Sequence, residues 1–454
     1  MSARGSSAVA HRADTLKLFL RILPASYWQQ LRQRQKLPKL NARVYNDAVV
    51  IWLMIGQRLQ CGSTEAAVLE LLRGLPGEFW PKRCKRLREL AHKPLSGNTG
   101  SFNEARQQLP GQIVEQGVDW GLEQLLEQSR SPDQRPAFFV DGSSMRMPSS
   151  VKLREQYPPG SNQHGESHWP LLRVLVAHDL YTGLAVRPQW GAMNGPKAVS
   201  EQGLLEELLP RLPAGCLVAG DANFGVFSVA HRISQSGRLA LLRLTLTRAR
   251  ALAGEELTDG IDRSIQWKPS KDDRRNNPDL PLDSCVTGRL IVRRVQPSNG
   301  SEPVLLALFT SLPEDAKQVV ELYGRRWIIE TDLNHLKSAL RLEELSSTTP
   351  EMVAKEIDVA MLAYNLVRAV ICLAAQQTGL EPRQFSFTRV RNICNAFAAS
   401  IVAAGTPEQS QQLFDRMMYY VRQAKLPRRT RKRPSYPRAV WPKPYKYPKR
   451  KSTE

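Results

Sequence analysis

The sequence predicts a mixed α/β core that is set between two helical regions. From residue 15 to about residue 131, apolar side chains recur at helical spacing. From Ala137 onward, short apolar runs rich in aromatic and β-branched residues alternate with amphipathic stretches, which is the pattern of strands followed by helices. Beyond residue 347 the helical period returns. These changes of period predict that the core occupies the middle of the chain.

The N-terminal region, residues 1–134, is predicted to be a helical DNA-binding region, in which the helical pattern ends at Pro132. A basic run at 81–90 holds five Lys and Arg residues. This run is either a solvated helix face or a contact with a nucleic-acid backbone. The clearest helical spacing lies in three stretches, 45–59, 64–72 and 113–126.

The first part of the core, residues 135–246, is predicted to contain both strands and helices. The run that starts at Ala137 predicts a central strand ending at Asp141. A later strand is predicted to end at Asp221. Between these two strands, the pattern predicts strands at 171–180 and 183–190, joined as an antiparallel meander, and a helix at 200–212.

Residues 247–302 have a different texture, with frequent Asp, Arg, Asn and Pro and short alternating runs. We therefore expect a β-rich insertion there. The last part of the core, residues 303–346, is predicted to be a buried strand at 304–313 and an amphipathic helix at 315–345.

The C-terminal helical region, residues 347–424, is predicted to hold apolar helices at 352–377 and 387–403. The final segment, 425–454, is rich in Lys, Arg, Pro and Tyr and has no acidic residue before Glu454. Because such a composition cannot bury enough apolar surface, we expect a basic tail that is extended and disordered on its own.

The charge of the chain indicates a polyanionic partner. Its 64 Lys and Arg residues outnumber 43 Asp and Glu residues, giving a formal net charge of +21. Nucleic acid is favoured over an anionic membrane surface. The longest apolar run, 48–55, is too short to cross a bilayer, and the polar start has no signal-peptide pattern. The six cysteines lack zinc-ligand spacing, so we expect no zinc site and no disulfide framework, as in a reducing cytoplasm.

The predicted helix at 315–345 carries an unusual polar stripe. On a continuous α-helix, its functional side chains share one narrow face beside an apolar flank of leucine and isoleucine. We therefore expect the glutamate of the stripe to lie next to the core. The alternative is a surface helix whose charges only confer solubility. The stripe consists of Tyr323, Arg326, Glu330, Asn334 and Lys337.

Three carboxylates could meet at one edge of the predicted sheet. Asp141 and Asp221 each end a predicted strand, and Glu330 lies on the later helix. Phosphodiester chemistry commonly uses two divalent metals about 4 Å apart, held by oxygen ligands. The alternative for Asp141 is a turn-forming role, because Asp-Gly is a frequent turn sequence.

The chain resembles the DDE transposases of insertion-sequence family four. The signature of that family is Tyr, two residues, Arg, three residues, Glu, six residues and Lys, and the stretch LYGRRWIIETDLNHLK meets every spacing. VDGSSMRMP, with HWPLLRVLVAHDLYTG after it, is similar to the first catalytic block of the family, and LVAGDANFGVF is similar to the second. The resemblance runs from about residue 138 to residue 345. Asp221-Ala-Asn-Phe departs from many relatives, which have Arg or Lys soon after this Asp, so a phosphate contact is either missing or supplied elsewhere.

The resemblance implies a ribonuclease H-like catalytic core in which Asp141, Asp221 and Glu330 bind two Mg²⁺ or Mn²⁺ ions. It further implies that side chains of the signature hold phosphates and the distorted transposon end. Some relatives cut through a DNA hairpin with a flipped base held by an aromatic wedge, and Trp267 and Trp327 are candidates for it. Both could equally be core tryptophans. The DNA-binding candidates are Tyr323, Arg326, Lys337, Asn334, Trp267 and Trp327.

The implied function is cut-and-paste DNA transposition. The expected partners are double-stranded DNA, as inverted-repeat ends and as target, and a second copy of the chain in the DNA complex. No membrane and no small-molecule cofactor are expected, and the expected location is the prokaryotic cytoplasm, in association with the nucleoid. Two alternatives remain open: an inactive DNA-binding inhibitor of transposition, and a ribonuclease H-like nuclease without strand transfer.

Overall fold

The computed structural model describes residues 25–37, 44–60, 62–72, 96–130, 134–163, 165–296, 302–343, 345–402, 404 and 406–427. The basic run at 81–90 and nearly all of the basic tail lie outside these residues. The expectations for those two segments are therefore not addressed by the fold.

The N-terminal region is helical throughout the residues that the structure describes. Helix α2, Asp47–Gln60, is buried from Asp47 to Gly56. Together with α5, Gly111–Ser129, it packs against a long helix of the C-terminal region. Asp47 pairs with Arg32 of α1. The helices are α1 Ala25–Arg34, α2 Asp47–Gln60, α3 Thr64–Leu72, α4 Gly100–Gln108 and α5 Gly111–Ser129.

An eight-stranded sheet forms the centre of the molecule, with strand order β5-β4-β1-β6-β7-β10-β9-β8. Pairs β1–β6 and β6–β7 are parallel, and every other neighbouring pair is antiparallel. A separate short hairpin consists of β2 Ser161–Asn162 and β3 Gly165–Glu166. The strands of the sheet are β1 Ala137–Arg146, β4 Leu171–Asp179, β5 Gln189–Ala192, β6 Leu217–Gly220, β7 Leu239–Arg243, β8 Asp262–Trp267, β9 Val286–Val295 and β10 Val304–Thr310. The β-rich insertion thus contributes β8 and β9, which extend the same sheet.

Two strand predictions need correction. β1 does not end at Asp141: it pairs with β6 only as far as Phe139 but continues along β4 to Arg146. The third strand is Gln189–Ala192, so the run predicted at 183–190 is wrong for most of its length. Asn365 accepts from the Ala185 N–H at 2.8 Å and donates to its carbonyl at 2.9 Å. The Ala185 backbone groups, which in a strand would bond to a neighbouring strand, therefore bond to a side chain of the helix Pro350–Thr378.

Helices cover the sheet and close the chain. The longest, α13, is the one helix in the described residues that is long and apolar enough to cross a bilayer, but 89% of its most apolar window is buried inside the protein, so it is a core helix. Thr349 caps its start, and Gly379 ends it with a left-handed φ of 66°. The remaining helices are α6 Val151–Gln156, α7 Glu201–Leu208, α8 Phe227–Gln235, α9 Leu246–Ala253, α10 Lys271–Asn276, α11 Ala316–Gly324, α12 Trp327–Asn334, α13 Pro350–Thr378, α14 Phe387–Val402 and α15 Pro407–Gln423.

The helix predicted at 315–345 is broken, which corrects the assumption of one continuous stripe. Its first part, α11, is capped by Asp315. The N–H groups of Arg325 and Arg326 then bond to carbonyls three residues back, so the helix tightens there before α12 begins. After α12, His335–Ala339 forms a π-helical turn. Both features rotate later side chains away from their ideal α-helical positions.

Candidate active site

Asp141 and Asp221 lie side by side at one edge of the sheet. The parallel pairing of β1 with β6 aligns Phe139 with Ala219. In each strand direction the aspartate, Asp141 or Asp221, follows two residues later. Neighbouring strands are about 4.8 Å apart. Since β1 has lost its β6 neighbour at this point, the edge opens toward solvent on that side.

Arg243 reaches the same edge from the next strand. β6 aligns Gly220 with Leu242 of β7, so Asp221 and Arg243 are the following residues of the two strands. Arg243 is exposed. The loop after Asp221 passes against the end of β7 at Gly225, where a Cβ would lie 1.9 Å from the Arg243 carbonyl oxygen. Glycine is therefore required for this close approach.

The environment of Asp141 opposes its ionisation. Burial and then the negative charge of Asp221 raise its pKa to about 6, and the Gly142 N–H and Arg326 offset only part of that shift. Asp141 Oδ1 accepts from the Gly142 N–H at 2.9 Å. Two adjacent carboxylates repel each other when both are ionised. A bound cation would offset that repulsion.

A further carboxylate, that of Glu201, lies against Gly142, the residue that follows Asp141 in β1. Glu201 is the first residue of α7, whose start is capped by Ser200. A Cβ on Gly142 would lie 2.1 Å from Glu201 Oε1, so the carboxyl group of Glu201 rests directly on the backbone beside Asp141. Its other oxygen accepts from Asn223 Nδ2 at 2.6 Å. The sequence pattern did not identify Glu201.

Glu330 does not lie next to the core, contrary to expectation. Its side chain is 46% exposed and accepts a hydrogen bond from Arg326 Nη2 at 3.1 Å. The break before α12 turns it outward. In the part of the chain that the structure describes, no three or more His, Cys, Asp or Glu side chains are grouped as a metal site. The structure therefore brings Asp141 and Asp221 together and leaves Glu330 paired with an arginine.

The hydroxyl group of Tyr323 is a buried donor without a partner. The residue is 6% exposed, and among the described residues no group forms a hydrogen bond with its hydroxyl oxygen. Burial raises its pKa to about 12, and the charges of Arg326, Arg243, Asp221 and Asp141 also act on it. An unsatisfied buried hydroxyl is destabilising. The Tyr323 hydroxyl therefore lies among four charged groups of the candidate site.

The other candidates occupy different surroundings. Lys337 is half-buried in the π-helical turn, and Asn334 is exposed, its Oδ1 accepting from Ser338 Oγ at 3.1 Å. Trp267 is 3% exposed and packs edge-on against Phe227 and Phe309. Of the two alternatives for Trp267, a DNA wedge and a core tryptophan, this burial favours the core tryptophan.

The side chain of Trp327 lies outside the described residues, so its place is left open.

A buried ionic network fixes α12 two residues beyond Glu330. Asp332 is fully buried and pairs with Arg368 of α13 and with Arg383. Burial alone would raise the pKa of Asp332, but the two guanidinium groups outweigh burial and lower it to about 2. Burial lowers the pKa of the adjacent His178 and His335 to about 4, so both are neutral at pH 7. This network holds the helix that carries Glu330.

Sequence reasoning missed Glu201, Arg243 and Asp332 for different reasons. Arg243 lies in a short apolar run and Glu201 follows a helix-capping serine, so the sequence carried a local signal for the secondary structure of each but not for its role. Where they lie relative to the two aspartates depends on the order of strands, which local patterns do not specify. Asp332 gave no signal, because charged residues on a helix are ordinarily exposed.

Comparison with known proteins identifies the family of the chain. The family model described as "Transposase DDE domain" matches residues 132–366, a span that includes both aspartates and Glu330. The chain is also 24% identical over 312 residues to "Transposase InsG for insertion sequence element IS4" of Escherichia coli, covering 68% of each protein.

Proposed function

Because this chain belongs to the DDE transposases of insertion-sequence family four, we propose that it binds terminal inverted repeats and performs metal-dependent cleavage and strand transfer on them. The observation that carries the proposal is the placement of Asp141 and Asp221 at one open sheet edge, with the unpartnered Tyr323 hydroxyl in their electrostatic reach. The family generally uses divalent metal ions. We propose that Asp141, Asp221 and Glu330 hold two Mg²⁺ or Mn²⁺ ions in this chain.

The residues present fit such ions. Carboxylate oxygens are the ligands that Mg²⁺ and Mn²⁺ prefer. The raised pKa of Asp141 reports a repulsion that a cation would relieve. When bound, the ions would supply activation of water and of the freed 3′-hydroxyl, together with stabilisation of the leaving oxygen. The ribonuclease H-like core is supported by the strand order β5-β4-β1-β6-β7, with three antiparallel strands followed by two parallel ones.

Glu330 would join the two aspartates when it leaves Arg326. Its exposed side chain is free to change rotamer, and an exposed ion pair across one helical turn contributes only about 0.3–0.5 kcal/mol. Phosphate is a competing partner for Arg326, since guanidinium binds phosphate through two parallel hydrogen bonds. Binding of a DNA phosphate to Arg326 would thus release Glu330, which could then bind metal together with the two aspartates.

The basic residues around the carboxylates would hold the DNA end. Arg326 and Arg243 flank the aspartates, so Arg243 supplies the phosphate contact that Asp221-Ala-Asn-Phe lacks. Tyr323 would donate its hydroxyl hydrogen to a phosphate oxygen. We propose that Lys337 contacts the backbone further along, and that two copies of the chain act together on paired ends.

Linear DNA with an inverted repeat at each end tests the proposal. We expect the protein to cut at the repeats in Mg²⁺ or Mn²⁺ and not in EDTA, and to join the freed ends to a target plasmid. Cutting without joining would favour a nuclease. Binding to the repeats without cutting in any metal would favour an inhibitor, and both results would overturn the proposal.

A further inference from the structure

We propose that Asn223 and Glu201 are positioning residues for Asp221, an inference that rests on the proposed function of the edge where Asp221 lies. The two side chains form a clamp that joins the loop after β6 to the first turn of α7. The clamp fixes the direction of the Asp221 carboxyl group, and neither of its members holds a cation.

The clamp consists of hydrogen bonds that reach Asn223 from two consecutive residues of α7. Asn223 Nδ2 donates to Glu201 Oε2 at 2.6 Å, and Gln202 Nε2 donates to the Asn223 carbonyl at 2.7 Å. The Asn223 N–H in turn donates to Asp221 Oδ1 at 2.9 Å. One oxygen of Asp221 is therefore held by a residue that α7 itself holds.

Glu201 is supported by β1 at the rear of the site. Gly142 leaves the space that the Glu201 carboxyl group fills, because a Cβ there would lie 2.1 Å from Oε1. Side chains alternate along a strand, so this space is on the face of β1 opposite the Asp141 side chain. Ser200 caps the helix that presents Glu201. Glu201 thus acts on the site through Asn223 and not by direct contact with its open side.

The far end of the loop is fixed independently of α7. Phe224 is fully buried, and Arg248 Nη1 donates to the Gly225 carbonyl at 2.7 Å. Asn223, by contrast, is exposed, so packing does not hold its backbone. The hydrogen bonds to α7 therefore decide where the Asn223 N–H points, and with it the carboxyl group of Asp221.

The clamp also gives a role to the asparagine of Asp221-Ala-Asn-Phe, a sequence without a basic residue. The Asn223 side chain is bonded to Glu201, so it serves the loop and does not hold a phosphate. A hydrogen bond to an ionised carboxylate is roughly twice as strong as one between neutral groups. Because Asn223 is exposed, loss of this bond should loosen the loop without unfolding the protein.

Titration of the full-length chain with Mn²⁺ in the absence of DNA tests the inference, with free Mn²⁺ measured by electron paramagnetic resonance. Asn223→Ala keeps the backbone N–H and removes the clamp, so we expect Mn²⁺ affinity to fall roughly 10-fold. Cleavage at saturating end DNA should slow to a similar extent, while DNA affinity and the urea midpoint of unfolding stay unchanged. Asn276→Ala, at an exposed position of α10, is the matched control and should change none of these properties.

A double variant tests the hydrogen bond itself. E201Q/N223D exchanges the amide and the carboxylate, so it keeps the total charge and one donor facing one acceptor, and its Mn²⁺ affinity should stay within about threefold of wild type. A loss as large as that of Asn223→Ala would contradict the clamp.

Two further outcomes separate the clamp from the proposed function. Wild-type Mn²⁺ affinity and cleavage rate in Asn223→Ala, together with weakened Mn²⁺ binding in Asp221→Asn, would overturn the positioning role and leave the proposed function standing. Absence of Mn²⁺ binding by the unaltered chain, or wild-type affinity in Asp221→Asn, would instead overturn the metal site as a whole.

Discussion

Arg326 donates a hydrogen bond to Glu330 over 3.1 Å, and the same guanidinium lowers the pKa of Asp141. One arginine thus interacts with two of the three acids that are candidate metal ligands. It also holds Glu330 in an exposed position. In this structure Glu330 is therefore paired with Arg326 and not with the two aspartates.

Replacement of Arg326 should separate metal binding from cleavage. In Arg326→Gln, loss of a positive charge near Asp141 should tighten Mn²⁺ binding by about 1 kcal/mol, roughly fivefold, in the absence of DNA. Cleavage of end DNA should nevertheless be lost, because a phosphate contact is removed. Mn²⁺ titration and a cleavage assay measure the two effects.

Arg325→Gln, which changes the neighbouring exposed arginine, is the control and should alter neither property. Weaker Mn²⁺ binding in Arg326→Gln would contradict this view of the Arg326–Glu330 pair.

Replacement of Asp141 should stabilise the protein in EDTA at neutral pH. The pKa of Asp141 is about 6 when folded, above its ordinary value of 3.8, so the folded state holds the proton more tightly and stability falls as pH rises from about 4 to about 6. Above pH 6 the full penalty applies, and Asp141→Asn removes it. We expect a gain on the order of 1–3 kcal/mol at pH 8 and little gain at pH 4, measured by urea unfolding.

Asp283→Asn changes an exposed aspartate and should give no gain at either pH. A loss of stability in Asp141→Asn at pH 8 would show that Asp141 is a structural residue.

Replacement of Asp332 should destabilise the protein strongly. Asp332→Asn leaves Arg368 and Arg383 without their buried counter-charge, a change that typically costs about 3–5 kcal/mol. Because its folded pKa of about 2 lies below the ordinary 3.8, the contribution is present above pH 4 and is lost as pH falls toward 2. Urea unfolding at pH 7 measures the effect, and Glu330→Gln, two residues away, should cost less than about 0.5 kcal/mol. Equal stability of the two variants would contradict the role of the network.

Removal of residues 426–454 should reduce the salt dependence of DNA binding. The segment is strongly basic and has no pattern of a base-reading element, so we expect contacts to phosphates. The truncated chain should show a shallower slope of log affinity against log salt, with the preference for end DNA over random DNA retained. An unchanged slope would contradict this prediction.

The sequence was sufficient to predict the strands that carry the two aspartates, since buried apolar runs identify central strands and the residues that follow them. It was not sufficient to predict that Arg243 lies beside Asp221, or that Glu201 contacts Gly142 and Asn223. Both depend on the order β4-β1-β6-β7, which is set by long-range crossovers and not by local pattern.

The signature helix shows a second limit. Its residues at 316–339 have good α-helical periodicity, yet the chain tightens at Arg325 and Arg326 and widens into a π-helical turn after Asn334. The pairs that Asp332 makes with Arg368 and Arg383 anchor α12 at a fixed rotation. Tertiary contacts thus overrule the continuous helix, and the exposure of Glu330 follows from them.

The most direct test of the catalytic assignment is cleavage of end DNA in Mg²⁺ by Glu330→Gln. The variant should bind the inverted repeats with wild-type affinity and cut no strand, because Glu330 would hold metal while basic residues supply affinity. Glu321→Gln, at an exposed position of α11, should bind and cut normally. Cleavage by Glu330→Gln at the wild-type rate would contradict the account.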